Sequence, residues 1–304
     1  MADIVTPESV KNVKVVLNED VQKQIDKFID YYKHSNEIIN SGMDIPNSIL
    51  LYGPPGCGKT KLAKYLCEVM DLPLVVTRLD GLISSFLGNT AKNIRQVFEY
   101  AQSIPCILFL DEFDAIAKVR DDQNELGELK RVVNSLLQNI DNLNNGSIVI
   151  AATNHEQLLD SAVWRRFNFR INIEKPNLSS REELFSFFLV ENNFSKKEIF
   201  SLAKATKDLS GSDIEEICNK SRIDSILLKQ PLQLKQIYQN YFDFIIEKKG
   251  DTLKLTDEKV SKAKHLRKID SKVFSYQMIS ESLGISKTSA SMLVKEDSGE
   301  KVNA

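Results

Sequence analysis

The sequence predicts an α/β domain built on a buried parallel sheet, followed by a wholly helical region. Three observations lead there. Continuous apolar runs at residues 49–52, 74–76, 106–110 and 147–153 have the length and composition of strands buried on both faces, as in parallel sheets. Between them lie stretches with apolar residues at helical spacing, such as Ile94, Val97, Phe98 and Ala101, and this alternation marks an α/β fold. Beyond Pro176 and the polar stretch Asn177-Leu178-Ser179-Ser180 the pattern is helical throughout. With 304 residues, 42% of them hydrophobic, the chain has room for one good core and a smaller lobe or two.

Residues 1–13 are short and polar and are expected to form an N-terminal tail. Val21, Ile25, Phe28, Ile29 and Tyr32 mark one face of a helix, which Gly42 and Pro46 end. The run 49–52 then leads into Gly53-Pro54-Pro55-Gly56-Cys57-Gly58-Lys59-Thr60, and a helical pattern follows from Lys61 to Met70. Strand, G-x-x-x-x-G-K-T and helix in that order is the context of a phosphate-binding loop. Gly56 and Gly58 let the backbone curl until successive N–H groups face one concavity, and the helix adds its positive dipole end. Lys59 supplies a charge for the β- and γ-phosphates, and the Thr60 hydroxyl is placed to ligate Mg²⁺. Residues Gly53 through Lys61 are therefore the expected nucleotide contacts.

Phe86 and Leu87 sit in a stretch flanked by Ser84, Ser85 and Gly88, where an apolar pair either packs under the loop or serves a function. The run 106–110 ends on Asp111-Glu112-Phe113-Asp114. Ligands bind at the carboxyl edge of such a sheet. With the loop upstream, Asp111 is expected to hold Mg²⁺ and Glu112 to orient the water that attacks the γ-phosphate. The run 147–153 brings Asn154 to the same edge, where it either contacts the γ-phosphate or caps the next helix. Further on, Arg165 and Arg166 follow Trp164, the only tryptophan.

Together these elements resemble the AAA branch of the AAA+ ATPases over roughly residues 13–228. The resemblance is carried by Ile49-Leu50-Leu51-Tyr52 before the phosphate loop, Asp111-Glu112, Ala151-Ala152-Thr153-Asn154 and Leu209-Ser210-Gly211-Ser212-Asp213-Ile214, in the family's order. It implies a doubly wound ATPase domain at residues 14–176 and a small helical lid at 177–247. It also implies a homo-oligomer, a hexameric ring with ATP and Mg²⁺ at its subunit interfaces. In that setting Asn154 is similar to the sensor of the γ-phosphate. Arg165 and Arg166 are similar to arginine fingers that reach into a neighbour's site, so hydrolysis should require the oligomer. Trp164 beside them should then report ATP by its fluorescence only in the assembled protein.

The same resemblance matches Phe86, with Leu87, to the pore loop that grips an extended polypeptide, which implies a protein substrate. Gly211 matches the residue lying close to the adenine, and Ser212 stands where the family usually has Ala. The finger region departs from the common pattern. That pattern has Gly before the Arg-Phe pair and a second Arg two residues after Phe, whereas here Arg165 precedes the pair and Arg170 follows three after. This arrangement is similar to katanin and spastin, and it makes Arg170 a weaker candidate. The chain is expected to carry no peptidase domain, so any degradation would need a separate peptidase partner.

Residues 248–304 form a basic segment: between 259 and 295, Lys259, Lys262, Lys264, Arg267, Lys268, Lys272, Lys287 and Lys295 face only Asp270 and Glu281. Within it, residues 273–295 have the spacing of a helix-turn-helix, with Ile279, Leu283, Ile285, Ala290 and Leu293 as its core. It resembles the DNA-binding type, which would place Lys287, Thr288, Ser289 and Ser291 where bases are contacted, but such hairpins also dock proteins. The whole-chain net charge of −2 gives no global field for nucleic acid or membrane. No apolar run approaches the ~18 residues of a membrane helix. Cys57, Cys67, Cys106 and Cys218 are too far apart for a zinc site and are expected to be reduced thiols of a cytoplasmic protein. The expected function is an ATP-driven remodeller of protein substrates tethered to DNA, with a DNA-bound, ATP-controlled oligomerisation switch as the alternative.

Overall fold

The computed structural model describes residues 3–79, 90–116, 128–143, 146–190, 193–249 and 259–295. Its contacts divide the chain between Lys175 and Pro176. The first unit runs β1 (Asp3–Val5), α1 (Glu19–Lys33), α2 (Ser35–Asn40), β2 (Ser48–Tyr52), α3 (Lys59–Met70), β3 (Leu74–Arg78), α4 (Thr90–Ser103), β4 (Ile107–Asp111), α5 (Glu128–Asp141), β5 (Ile148–Thr153), α6 (Ser161–Trp164) and β6 (Phe169–Asn172). These strands form one sheet in the order β1-β3-β4-β5-β2-β6. Every pairing is parallel except that of β1 with β3.

The apolar runs are continuous because both sheet faces are covered, and the side chains of each strand alternate between two cores. Leu50, Leu108, Leu110 and Val149 pack with Ile94 and Phe98 of α4 and Leu136 and Ile140 of α5. Ile49, Leu51, Phe109 and Ile150 pack on the opposite face with Ile25 and Phe28 of α1 and Leu62 and Leu66 of α3. This is the doubly wound arrangement. It leaves the carboxyl ends of β2, β3, β4 and β5 along one edge.

The expected N-terminal tail is a correction. Residues 3–5 add the antiparallel edge strand β1, and Val10 is buried against the α3 side of the sheet. The backbone N–H groups of Asn12 and Val13 donate to the Glu68 carboxylate at 2.8 and 3.2 Å. Composition hid this because only the backbone and a few small apolar side chains do the binding.

The second unit contains α7 (Leu178–Phe188), α8 (Lys196–Ala205), α9 (Gly211–Leu227), α10 (Leu234–Lys249), α11 (Lys259–Ile269), α12 (Tyr276–Leu283) and α13 (Lys287–Lys295). One apolar core joins Phe185, Leu202, Ile214, Tyr238 and Phe242 with Leu266, Phe274, Ile279 and Ala290. The helices start at side-chain caps: Ser195 with Glu198 before α8, Ser210 with Asp213 before α9, and Ser275 before α12. Gly284 ends α12 at φ +62, a conformation that favours glycine. Buried Arg181 donates to the carbonyls of Pro176 and Ala203 at 2.8 and 2.7 Å, which pins the start of this unit to α8. Among the described residues no helix is long and apolar enough to cross a membrane.

Candidate active site

The loop after β2 has the backbone that its glycines suggest. Gly53, Gly56 and Gly58 lie at φ +126, +74 and +99, and Gly58 opens α3. Gly53 is also a matter of space, since a Cβ there would lie 2.5 Å from the Ile173 carbonyl oxygen. The loop therefore lies against the end of β6. Lys59 is 7% exposed, and its ammonium donates to the Gly53 and Pro54 carbonyls at 2.6 and 2.9 Å. Burial pushes its pKa below the ordinary lysine value. A charge tethered to its own loop is available to phosphate oxygens without reaching from solvent. Cys57 is a half-buried thiol within the loop, and Pro54, Pro55 and Lys61 complete the stretch.

Opposite the loop stands the end of β4. Thr60 Oγ1 lies 3.5 Å from Asp111 Oδ2, and the other Asp111 oxygen accepts from the Glu112 N–H at 2.9 Å. A hydroxyl and a carboxylate oxygen converging beside a phosphate loop are the hard oxygen donors that suit Mg²⁺. Glu112 has φ +55, a left-handed conformation costing a non-glycine residue about 1–3 kcal/mol. The turn is held on its far side, where Phe113 N–H donates to the Ala152 carbonyl at 2.8 Å and Phe113 is fully buried against Phe167.

Two residues of this edge escaped the sequence reading. Arg78, the last residue of β3, donates to Glu112 Oε1 at 2.9 Å. Buried Asp114 accepts from Thr153 Oγ1 at 3.0 Å, and the same hydroxyl accepts from the His155 N–H. The available signal was position, since both sit at strand carboxyl ends beside Asp111 and Asn154. Asn154 itself is half-buried at that edge. The capping alternative is not realised: the short 3-10 turn at Glu156–Leu158 starts after His155 and has no side-chain cap.

Arg165 and Arg166 follow directly on α6, which is capped by Asp160 accepting from the Ala162 and Val163 N–H groups at 2.9 Å each. Val163 and Phe167 are buried on either side and fasten the segment to the domain. Arg165 is exposed, and among the described residues its guanidinium has no ion-pair partner. Arg166 is exposed too but ion-pairs with Asp141 at the end of α5. Trp164 donates to the Leu159 carbonyl at 3.2 Å and stacks edge-on against Tyr52, with ring centres 5.0 Å apart. Tyr52 immediately precedes the phosphate loop, so the tryptophan has a contact route to the loop of its own chain.

The remaining expected residues fall elsewhere. Phe86 and Leu87 lie outside the described residues. Gly211 and Ser212 open α9 in the second unit. Lys287 and Thr288 are exposed at the start of α13, while Ser289 and Ser291 are half-buried and the Ser289 hydroxyl pairs with Ser286 at 2.8 Å.

Residues 49–175 match the family described as "ATPase family associated with various cellular activities (AAA)". They form an AAA ATPase domain. Among similar proteins, an uncharacterized AAA family ATPase, y4kL, of Sinorhizobium fredii is 38% identical over 231 residues, covering 75% of this chain and 66% of that protein. An ATP-dependent zinc metalloprotease FtsH of Parabacteroides distasonis is 30% identical over 252 residues, covering 80% of this chain and 37% of that protein. A putative cell division cycle ATPase of Plasmodium falciparum is 33% identical over 247 residues, covering 78% and 20%. The chain thus spans 66% of the y4kL length and well under half of the other two. The AAA domain accounts for the phosphate loop, the Asp111-Glu112 turn and the sheet that presents both.

Proposed function

We propose that the protein hydrolyses ATP as a subunit of a homo-oligomeric ring, a hexamer, and uses that cycle to remodel or unfold a protein substrate. The observation that carries this reading is the convergence of Lys59, Thr60, Asp111 and Glu112 at one sheet edge of an AAA domain. Lys59 exchanges its loop carbonyls for the β- and γ-phosphates. Thr60 and Asp111 hold Mg²⁺, which when bound neutralises charge on the phosphates. Glu112 orients the attacking water, Asn154 donates to the γ-phosphate or that water, and Arg165 and Arg166 serve a neighbouring subunit.

Protein remodelling is supported by the likeness to an FtsH named as an ATP-dependent metalloprotease. Phe86 and Leu87 are the proposed grip on the polypeptide, and a separate peptidase would supply any proteolysis. Phe86→Ala tests this. ATP hydrolysis kept with remodelling lost supports threading, whereas remodelling unchanged counts against it.

DNA tethering is supported by the exposed Lys287 and Thr288 within the basic 259–295 stretch. The same feature favours a second reading, an ATP-controlled oligomerisation switch on DNA that threads nothing. Glu112→Gln protein, binding ATP but hydrolysing it poorly, should bind duplex DNA more tightly with ATP, and affinity should fall steeply with salt. No binding at low salt would make the C-terminal helices a protein-docking element.

A further inference from the structure

Buried Asp114 and Thr153 have no part in the reading above, yet they join the two turns that carry Glu112 and Asn154. Asp114 lies in the turn that follows β4, just beyond Glu112, and Thr153 is the last residue of β5, immediately before Asn154. The two residues are 4% and 1% exposed, so the bond that Thr153 Oγ1 donates to Asp114 Oδ1 at 3.0 Å is sheltered from exchange with water. A hydroxyl has one proton to give. Because the carboxylate takes it, the oxygen turns its lone pairs to the His155 N–H, which donates to it at 3.0 Å. The hydroxyl thereby closes a turn from Thr153 to His155 with Asn154 at its centre. Beside it the Phe113 N–H donates to the Ala152 carbonyl at 2.8 Å, so the turns after β4 and β5 are tied by backbone and by side chains.

We propose that Asp114, acting through the Thr153 hydroxyl, is a positioning residue that fixes Asn154 relative to Glu112 for ATP hydrolysis. The proposal rests on the reading of Asn154 as a donor to the γ-phosphate or the attacking water. Asp114 touches neither; it orients the hydroxyl, the hydroxyl holds the turn, and the turn places Asn154. Such control matters because a displacement of about 1 Å at a reacting centre can cost about 10²-fold in rate. Without the carboxylate the hydroxyl is free to rotate its proton toward His155, and the turn loses the bond that closes it.

The test is steady-state ATP hydrolysis by the full chain, with the melting temperature of each variant measured in parallel. Thr153→Val keeps the shape of the side chain and removes the hydroxyl. Its kcat is expected to fall about 10- to 100-fold, with KM for ATP within about two-fold of wild type. Thr153→Ser, which keeps the hydroxyl, should recover most of the rate. Because Thr153→Val leaves a buried carboxylate without this partner, its melting temperature should fall as well. The double variant Asp114→Asn/Thr153→Val removes the charge and should melt above Thr153→Val yet keep its low kcat, which separates rate from folding. In an Asn154→Ala chain, adding Thr153→Val should lower kcat by no more than about two-fold, since the hydroxyl acts through Asn154. An unchanged kcat in Thr153→Val, a kcat that returns with stability in the double variant, or the full loss repeated in the Asn154→Ala chain each overturns the proposal and leaves the pair a support of the fold alone. Hydrolysis near the wild-type rate in Asn154→Ala by itself instead removes Asn154 from its proposed role, whatever Thr153→Val does.

Discussion

At the scale of single residues, Gly53 shows how the loop is locked by space as well as by backbone angle. Gly53→Ala sets a Cβ against the Ile173 carbonyl at a φ disfavoured for side chains. A loss of about 1–3 kcal/mol is expected, read as a lower melting temperature together with weakened ATP binding. The cysteines form a second set. Burial raises the pKa of the Cys67 and Cys106 thiols and pushes that of Cys218 up to about 12, whereas Cys57 is half-buried in the loop. Brief alkylation of the native protein should therefore modify Cys57 first, and ATP should protect it. Equal labelling of Cys218, or no protection by ATP, would contradict this placement. Trp164 revises an expectation of the sequence analysis. Because it stacks on Tyr52 of its own chain, its emission should respond to ATP in dilute monomer as well as after assembly.

At the scale of elements, the short helix α6 depends on one cap. Asp160 accepts from two N–H groups, so Asp160→Ala should cost about 1 kcal/mol and loosen the segment that presents Arg165. The expected readout is a reduced kcat together with a changed Trp164 emission, since the same short helix carries the ring that stacks on Tyr52. The start of α9 carries a pH dependence. Burial favours the neutral form of Asp213, but hydrogen bonds from Lys248 and from the Ser210 N–H and hydroxyl outweigh it and hold the pKa below the ordinary 3.8. The folded chain thus binds this proton less readily than the unfolded chain. The resulting stability is present above pH 3.8 and is lost as pH falls through the lower folded value. Melting curves taken from pH 6 downward should show a decline below about pH 4 that is shallower in Asp213→Asn, which has no such proton to gain.

At the scale of the whole molecule, the proposed role of Arg165 ties hydrolysis to assembly. If Arg165 acts on a neighbour, hydrolysis per subunit should rise with protein concentration, and Arg165→Ala should remove about 10²-fold or more of it. A rate per subunit independent of concentration down to the monomer would exclude action in trans. The second unit bears on this scale as well. Residues read in the sequence as a lid and as a separate basic segment share one core, from Phe185 through Tyr238 to Ala290. α9 and α10 therefore pack into the same core as α11, α12 and α13.

By itself the sequence determined the parallel sheet, the phosphate loop and the acids after β4. Those features are local: an apolar run long enough for a buried strand, glycines at fixed spacing, and carboxylates at a strand end. Tertiary structure decided the rest because it depends on neighbours distant in the chain. Asn12 and Val13 bind Glu68 through backbone groups that carry no sequence signal. Arg166 ion-pairs with an acid at the end of another helix. Arg78 meets Glu112 only because β3 and β4 are adjacent and in register, and register is set by the packing of the whole sheet rather than by either strand.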